Sequence, residues 1–102
     1  MDKVLYDRIV NYAKDIEFGK PVPRFAKPWQ QDGLETARQI YEYIKFGGEQ
    51  TAKEIAEAFE VSPEYAKQVI LALQNGGAKI QAVAEDSGKQ HRHAHKYFVA
   101  KS

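Results

Sequence analysis

The sequence predicts a mainly α-helical domain that ends in a small β-hairpin, an α+β fold class. Two neighbouring segments after residue 50 repeat apolar residues at the spacing of short amphipathic helices. Nearer the C-terminus, two runs rich in strand-forming residues flank a turn signal. A chain of 102 residues with 43% apolar content can bury one modest core, so we expect one globular domain.

The N-terminal segment is predicted to form a helix that is capped by Asp2 and ends at Gly19. Its apolar residues fall on one broad face, formed by Val4, Leu5, Ile9, Tyr12, Ala13 and Ile16. This face must be buried, and two alternatives are open. The helix covers the core of its own domain, or it forms the contact of a homodimer.

A proline-rich segment follows at residues 18–31, with the sequence FGKPVPRFAKPWQQ. Its three prolines exclude a regular helix, so we expect an extended strap. Its basic residues alternate with Phe25 and Trp29, and it has no acidic residue. Such a segment could lie along a phosphate backbone or a minor groove. We favour the alternative that the two aromatic side chains dock on the domain, because large aromatic residues are rarely left exposed.

Three more helices are predicted between the strap and the hairpin. The first begins at Asp32, with Glu35 completing a capping box. The second is capped by Thr51, and the third opens with Ser62-Pro63, a cap followed by proline at the first helical position. Glycine pairs mark the ends of the first and third helices, at residues 47–48 and 76–77.

The second and third of these helices resemble a helix-turn-helix motif, two helices joined by a tight turn. The apolar positions of that motif are filled by Ile55, Ala56, Phe59, Val61, Val69 and Leu73. The motif usually has glycine in the turn, where this chain has Glu60. Glu60 must therefore adopt a left-handed backbone conformation, or the turn must be built differently.

The strand-forming runs lie at residues 78–84 and 91–101, with a turn signal at Asp86-Ser87-Gly88. A hairpin directly after a helix-turn-helix is similar to the wing of the winged helix-turn-helix DNA-binding family. The resemblance covers residues 32–102 and implies a three-helix helix-turn-helix core with a C-terminal wing. Residues 1–31 would precede it as an N-terminal helix and proline-rich strap.

The resemblance implies a small DNA-binding protein, a transcriptional regulator that acts as a dimer. The helix at residues 62–75 would enter the major groove of double-stranded DNA, and the wing would touch the backbone or minor groove. Lys67, Gln68 and Glu64 would meet base edges, while Lys53 would meet phosphates. The residues expected to contact DNA are Thr51, Lys53, Ser62, Glu64, Tyr65, Lys67, Gln68, Lys89, His91, Arg92, His93 and Lys96.

Two features favour an alternative function, a winged-helix module that binds protein and not DNA. Residues 49–75 carry five glutamates against two lysines, which places negative charge where phosphates would lie. Leu71 is expected to project away from the core. Its side chain could contact a thymine methyl group, or it could mark a protein interface.

Catalysis and cofactors are not expected. The sequence has no nucleophile motif, no glycine-rich phosphate loop and no placed pair of carboxylates, so we predict that the protein is not an enzyme. His91, His93 and His95 alternate along a predicted strand and could share a metal ion. No nearby cysteine or acidic residue obviously completes such a site, and no metal site is predicted.

The remaining composition points to the cytoplasm. The chain has no cysteine, which fits a reducing compartment. It shows no signal-peptide pattern and no apolar run as long as the ~18 residues of a membrane span. The formal net charge of +1 gives no overall basic field, so any attraction to DNA must come from local clusters.

Overall fold

The computed structural model describes residues 2–20, 28–85 and 94–99, with backbone alone at residues 28–32, 84–85 and 94–95. The elements in chain order are α1 (Lys3–Glu17), α2 (Pro28–Gly47), β1 (Gln50–Thr51), α3 (Ala52–Phe59), α4 (Pro63–Asn75), β2 (Ile80–Glu85) and β3 (Ala94–Val99). Helices dominate this part of the chain and one small antiparallel sheet accompanies them, which confirms the predicted fold class.

α1 begins and ends where its local signals predict. The Asp2 carboxylate accepts a hydrogen bond from the Val4 N–H at 3.2 Å and caps the first turn. Gly19 has a φ of +78°, the left-handed conformation that glycine adopts without a steric penalty. The Gly19 and Lys20 N–H groups then close the final turn on the carbonyls of Ile16 and Asp15.

The start of α2 differs from the prediction. The helix begins at Pro28 and not at Asp32, so the predicted strap ends at least four residues earlier than expected. Proline suits the first helical position because the missing N–H has no acceptor there. Glu35 does not complete a capping box. Its carboxylate accepts from the Arg38 guanidinium, which also donates to Glu42 at 2.7 Å. The strap residues 21–27, including Phe25, lie outside the described residues.

The turn between α3 and α4 forms without glycine, because Glu60 itself adopts the left-handed conformation, with φ 56° and ψ 40°. The Val61 N–H donates to the Ala56 carbonyl at 3.0 Å, and the Glu60 N–H donates to the Glu57 carbonyl. This pattern of two bonds is a Schellman motif. Val61 packs against the core immediately afterwards, so the expected two-helix geometry forms without glycine.

The sheet has the strand order β1-β3-β2, and both pairings are antiparallel. β2 and β3 form the predicted hairpin. β2 begins two residues later and ends one residue later than its predicted run, and β3 lies within its predicted run. In the register of the hairpin Ile80 lies opposite Val99 and Glu85 lies opposite Ala94. β1 was not predicted. It has only two residues, with Thr51 opposite Lys96, and it ties the start of α3 to the central strand.

One core joins the helices and the sheet. Its fully buried large side chains come from four helices: Ile9, Leu34, Ile40, Ile44, Ile55, Val69, Ile70 and Leu73. Ile80 adds a buried residue from β2, and Tyr97 and Val99 pack against the core from β3. The strand residues Gln81 and Val83 are exposed, so one face of the sheet covers the core.

α1 belongs to this core through its predicted apolar face, of which Ile9, Ala13 and Ile16 are buried. The helix packs on α4 and α2, so the prediction that it covers the core of its own domain is confirmed. This face therefore does not need a second molecule to bury it. The division of the chain at residue 31 and the predicted dimer contact stay predictions.

A dense contact, here called the α1 seam, joins α1 to residues 75–79. The Asn75 side-chain N–H donates to the Tyr6 hydroxyl at 2.6 Å, and the Lys79 backbone N–H donates to the Glu17 carboxylate at 3.0 Å. Gly76 lies so close to α1 that a Cβ atom there would stand 2.2 Å from the Val10 carbonyl oxygen and 2.4 Å from the Ala13 Cβ. The seam fixes where α4 ends and where β2 begins.

Candidate nucleic-acid interface

α4 has one buried face and one exposed face, and its first turn is built by local signals. The Ser62 hydroxyl accepts from the Tyr65 N–H at 3.1 Å, and Pro63 occupies the first helical position, as predicted. The inward face is buried through Ala66, Val69, Ile70, Ala72 and Leu73. The buried residues anchor one side of the helix in the core, and the other side is exposed to solvent.

The outer face of α4 consists of four exposed residues at helical spacing: Glu64, Lys67, Gln68 and Leu71. No hydrogen bond or ion pair within the described residues occupies the polar groups of Lys67 or Gln68. Together they offer an ammonium donor and an amide that can donate and accept. Glu64 adds an acceptor one turn nearer the start of the helix. Leu71 projects away from the core, as predicted.

Two residues near the outer face, Tyr65 and Asn75, make contacts within the protein. Tyr65 is half-buried and packs against the core, and this burial raises the pKa of its phenol. The phenol therefore stays protonated and can still donate a hydrogen bond at the margin of the face. Asn75, one turn beyond Leu71, is exposed, but its side-chain amide donates to the Tyr6 hydroxyl in the α1 seam.

Phosphate contact is predicted at the start of α3, but backbone N–H groups there already donate to the side chains of Thr51 and Glu54. The Thr51 hydroxyl accepts from the Glu54 N–H at 3.1 Å, and the Glu54 carboxylate accepts from the Thr51 N–H at 3.2 Å. This capping box places a negative charge at the positive end of the helix. A phosphate would have to approach beside that carboxylate, most readily through the exposed Lys53.

The exposed charge around the two helices is negative. All five glutamates of residues 49–75 are exposed: Glu49, Glu54, Glu57, Glu60 and Glu64. Only Lys53 and Lys67 oppose them in this stretch. Polyanionic DNA would meet repulsion on this surface unless cations of the hairpin offset it.

The sheet brings one such cation close to α3. Lys96 lies on the central strand between Thr51 of β1 and Val83 of β2, and its side chain is half-buried. Directly paired residues of neighbouring antiparallel strands lie about 4.5–5.5 Å apart at Cα. Lys96 and Thr51 are thus neighbours although 45 residues separate them in the chain. The short β1 strand produces this neighbourhood, and two residues carry no periodic signal from which it could have been predicted.

The remaining predicted wing contacts are Lys89, His91, Arg92 and His93, and these lie outside the described residues. The backbone of His95 pairs with Ala84. Among the described residues, no group of three or more His, Cys, Asp or Glu side chains is arranged to hold a metal ion.

No helix among the described residues combines the length and apolar character that crossing a membrane requires. Comparison of the chain with protein-family models, with curated proteins and with solved structures found no match.

Proposed function

We propose that this protein is a winged helix-turn-helix protein that binds double-stranded DNA and regulates transcription in the cytoplasm without catalysing a reaction. The observation that carries the proposal is the outer face of α4. A helix that is anchored in the core by its inner face presents Lys67 and Gln68 together, both exposed and without partners among the described residues. A hairpin follows this helix in the chain, as the wing does in the family that the sequence resembles.

In the proposed complex α4 lies in the major groove, which is wide enough to admit a helix. Gln68 can form two hydrogen bonds with the edge of an adenine, and Lys67 can donate to the acceptors of a guanine. Glu64 can accept from the amino group of a cytosine. These contacts supply sequence preference, because base edges in the major groove present distinct donor and acceptor patterns.

The wing supplies the backbone contacts in this proposal. Lys96 lies opposite Thr51, directly before α3, and Lys89 and Arg92 add positive charge in the stretch of sequence between β2 and β3. Phosphate contacts position a protein on the duplex and carry most of the salt dependence of binding. They would also offset the negative charge of the five exposed glutamates.

Fluorescence anisotropy of the full chain with a labelled mixed-sequence duplex, at low and at physiological salt, tests this function. We expect binding at low salt that falls steeply as salt rises, because phosphate contacts release counterions. A selection of preferred sequences from a random duplex pool should then enrich a defined site. Absence of binding at low salt would contradict the proposed function.

A second function is favoured by Leu71, half of whose surface is exposed at the end of the outer face. An exposed leucine on an acidic helix suits a protein partner that offers an apolar side chain and basic residues. In this alternative the α3–α4 pair binds protein and no duplex. Leu71→Ala distinguishes the two functions, since it should abolish capture of such a partner but weaken DNA binding by no more than one apolar contact.

A further inference from the structure

The α1 seam contains a chemically reactive dipeptide, Asn75-Gly76, at the end of α4. The side-chain amide of an asparagine can be attacked by the backbone nitrogen of the next residue, and glycine hinders this attack least because it has no side chain. The chain has one other asparagine, Asn11, which precedes the bulky Tyr12. Asn75 is exposed, and its side-chain N–H donates to the Tyr6 hydroxyl at 2.6 Å. The most reactive asparagine of the chain is therefore also a contact of the seam.

We propose that Asn75-Gly76 is a site of spontaneous deamidation that is unreactive while α1 packs on α4 and reacts when the seam opens. The Gly76 backbone nitrogen forms a bond to the Asn75 Cγ, and the side-chain nitrogen leaves as ammonia, taking the proton of the Gly76 N–H. A five-membered succinimide ring remains. Water then opens the ring at one of its two carbonyl groups and gives aspartate or isoaspartate. Water is the only co-reactant, and this chemistry is independent of DNA binding.

Three restraints keep the folded site unreactive. The Gly76 N–H donates to the Ala72 carbonyl at 3.0 Å, which opposes the loss of its proton. Asn75 is the last residue of α4, and its helical backbone must rotate about the Cα–C bond before the ring can close. The hydrogen bond to Tyr6 restrains the Asn75 side chain. Since all three must be released, the rate of deamidation follows the population of molecules in which the seam is locally open.

The two products differ in whether the seam can close again. Aspartate keeps the length of the main chain, and its carboxylate can accept a hydrogen bond from the Tyr6 hydroxyl. Isoaspartate adds one carbon to the main chain directly before Gly76. The space there is too small, since a single Cβ on Gly76 would stand 2.2 Å from the Val10 carbonyl oxygen and 2.4 Å from the Ala13 Cβ. Isoaspartate therefore prevents α1 from repacking on the end of α4 and makes the opening permanent.

Timed mass spectrometry of the full chain in mildly alkaline buffer gives the first test, because replacing an amide by a carboxyl group changes the mass. Peptide mapping assigns the change to Asn75 or Asn11. Asn75 should react slowly in native buffer and at least about 10-fold faster in urea that unfolds the chain. In urea, Asn11 should react more slowly than Asn75, since the Tyr12 side chain hinders ring closure. Equal rates at Asn75 in both buffers, or no reaction in urea, overturn the proposal.

Tyr6→Phe tests the role of the seam while keeping the aromatic ring. The variant removes the acceptor of the Asn75 amide, and the loss of one ordinary hydrogen bond should raise the native rate about 5-fold. Tyr43→Phe is the matched control, because it removes the hydroxyl of an exposed tyrosine on α2 and should leave the rate unchanged. Equal rates in the two variants overturn the control of deamidation by the seam. Circular dichroism reports whether each variant folds, and the wild-type comparison between buffers depends on neither.

The products give the last test. Protein deamidated in urea is refolded, and its aspartate and isoaspartate forms are separated by chromatography. Asn75→Asp provides the pure aspartate form as the matched reference. The isoaspartate form should unfold at a Tm about 5 °C or more below that of Asn75→Asp. Equal Tm values of the two forms would contradict a permanent opening of the seam.

Discussion

The α1 seam begins at the last residue of α4, and the outer face lies on the same helix, but the side chains of the two regions differ in their contacts. In the seam, Asn75, Gly76 and Lys79 each make close contacts with α1. On the outer face, Lys67 and Gln68 have no partner among the described residues, and Leu71 is half exposed. The difference separates two tasks. Side chains of the seam hold α1 to the end of α4, whereas side chains of the outer face are available to the binding partner that we propose.

The substitution with the largest expected effect asks whether α1 is an essential part of the core. Ile9→Ala removes a fully buried side chain of α1 and should lower the free energy of unfolding by about 2–5 kcal/mol. Val4→Ala is the matched control on the same helix, because Val4 is 54% exposed and its truncation should change stability by less than about 0.5 kcal/mol. Urea denaturation followed by circular dichroism measures both. Equal effects would mean that α1 is only loosely attached.

The outer face should show the opposite behaviour. Replacing both Lys67 and Gln68 by alanine should weaken binding to a selected DNA site by about 1–3 kcal/mol for each base that the variant can no longer hydrogen-bond. Stability should change little, because both side chains are exposed. Lys45→Ala, at an exposed lysine near the end of α2, is the control for the removal of a positive charge. Anisotropy titration gives the affinities, and an unchanged affinity of the double variant would remove α4 from the interface.

A single methyl group can probe how tightly the seam is packed. Gly76→Ala should destabilise the fold by about 1–3 kcal/mol, because its Cβ would collide with the backbone of Val10. The φ of Gly76 is −84°, so the effect would be steric and not a matter of backbone conformation. At Gly47 the atom in the way belongs to the flexible Gln50 side chain, and Gly47→Ala should be nearly neutral. Thermal unfolding of the two variants would show whether the seam is as rigid as its distances indicate.

The smallest expected effect lies at the turn that leads into α4. Glu60→Gly should raise the free energy of unfolding by about 0.5–1 kcal/mol. Glycine adopts the left-handed conformation without steric strain, and this gain exceeds the larger conformational entropy that glycine loses on folding. The same substitution at the exposed Glu57, inside α3, should instead lower it by about 1 kcal/mol. Thermal denaturation distinguishes the two signs. Destabilisation of both variants would show that the Glu60 side chain itself stabilises the turn.

Much of the fold could be predicted because its signals are local. Asp2, Thr51 and Ser62 cap their helices as expected, and Gly19 and Gly77 end helices in left-handed conformations. The outer face of α4 could be predicted for the same reason, since helical periodicity alone places its residues. The winged-helix family and DNA binding stay predictions, because no such local rule determines them.

The features that could not be predicted depend on contacts between distant residues or on competing local signals. Asp32 and Glu35 match a capping box, but Pro28 begins the helix earlier, and Glu35 pairs with Arg38 instead. β1 is a strand only because β3 lies beside it. The hydrogen bond from Asn75 to Tyr6 joins two residues that lie 69 positions apart in the chain.

The sequence separation across the α1 seam also has a consequence for synthesis on the ribosome. Tyr6 and Asn75 are 69 residues apart, and Glu17 and Lys79 are 62 residues apart. At about 5–20 residues per second, α1 is made roughly 3–14 seconds before its partners in the seam. During that interval α2 can cover only part of its apolar face. In a nascent chain of this protein, α1 is therefore complete before the residues that it contacts in the seam have been translated.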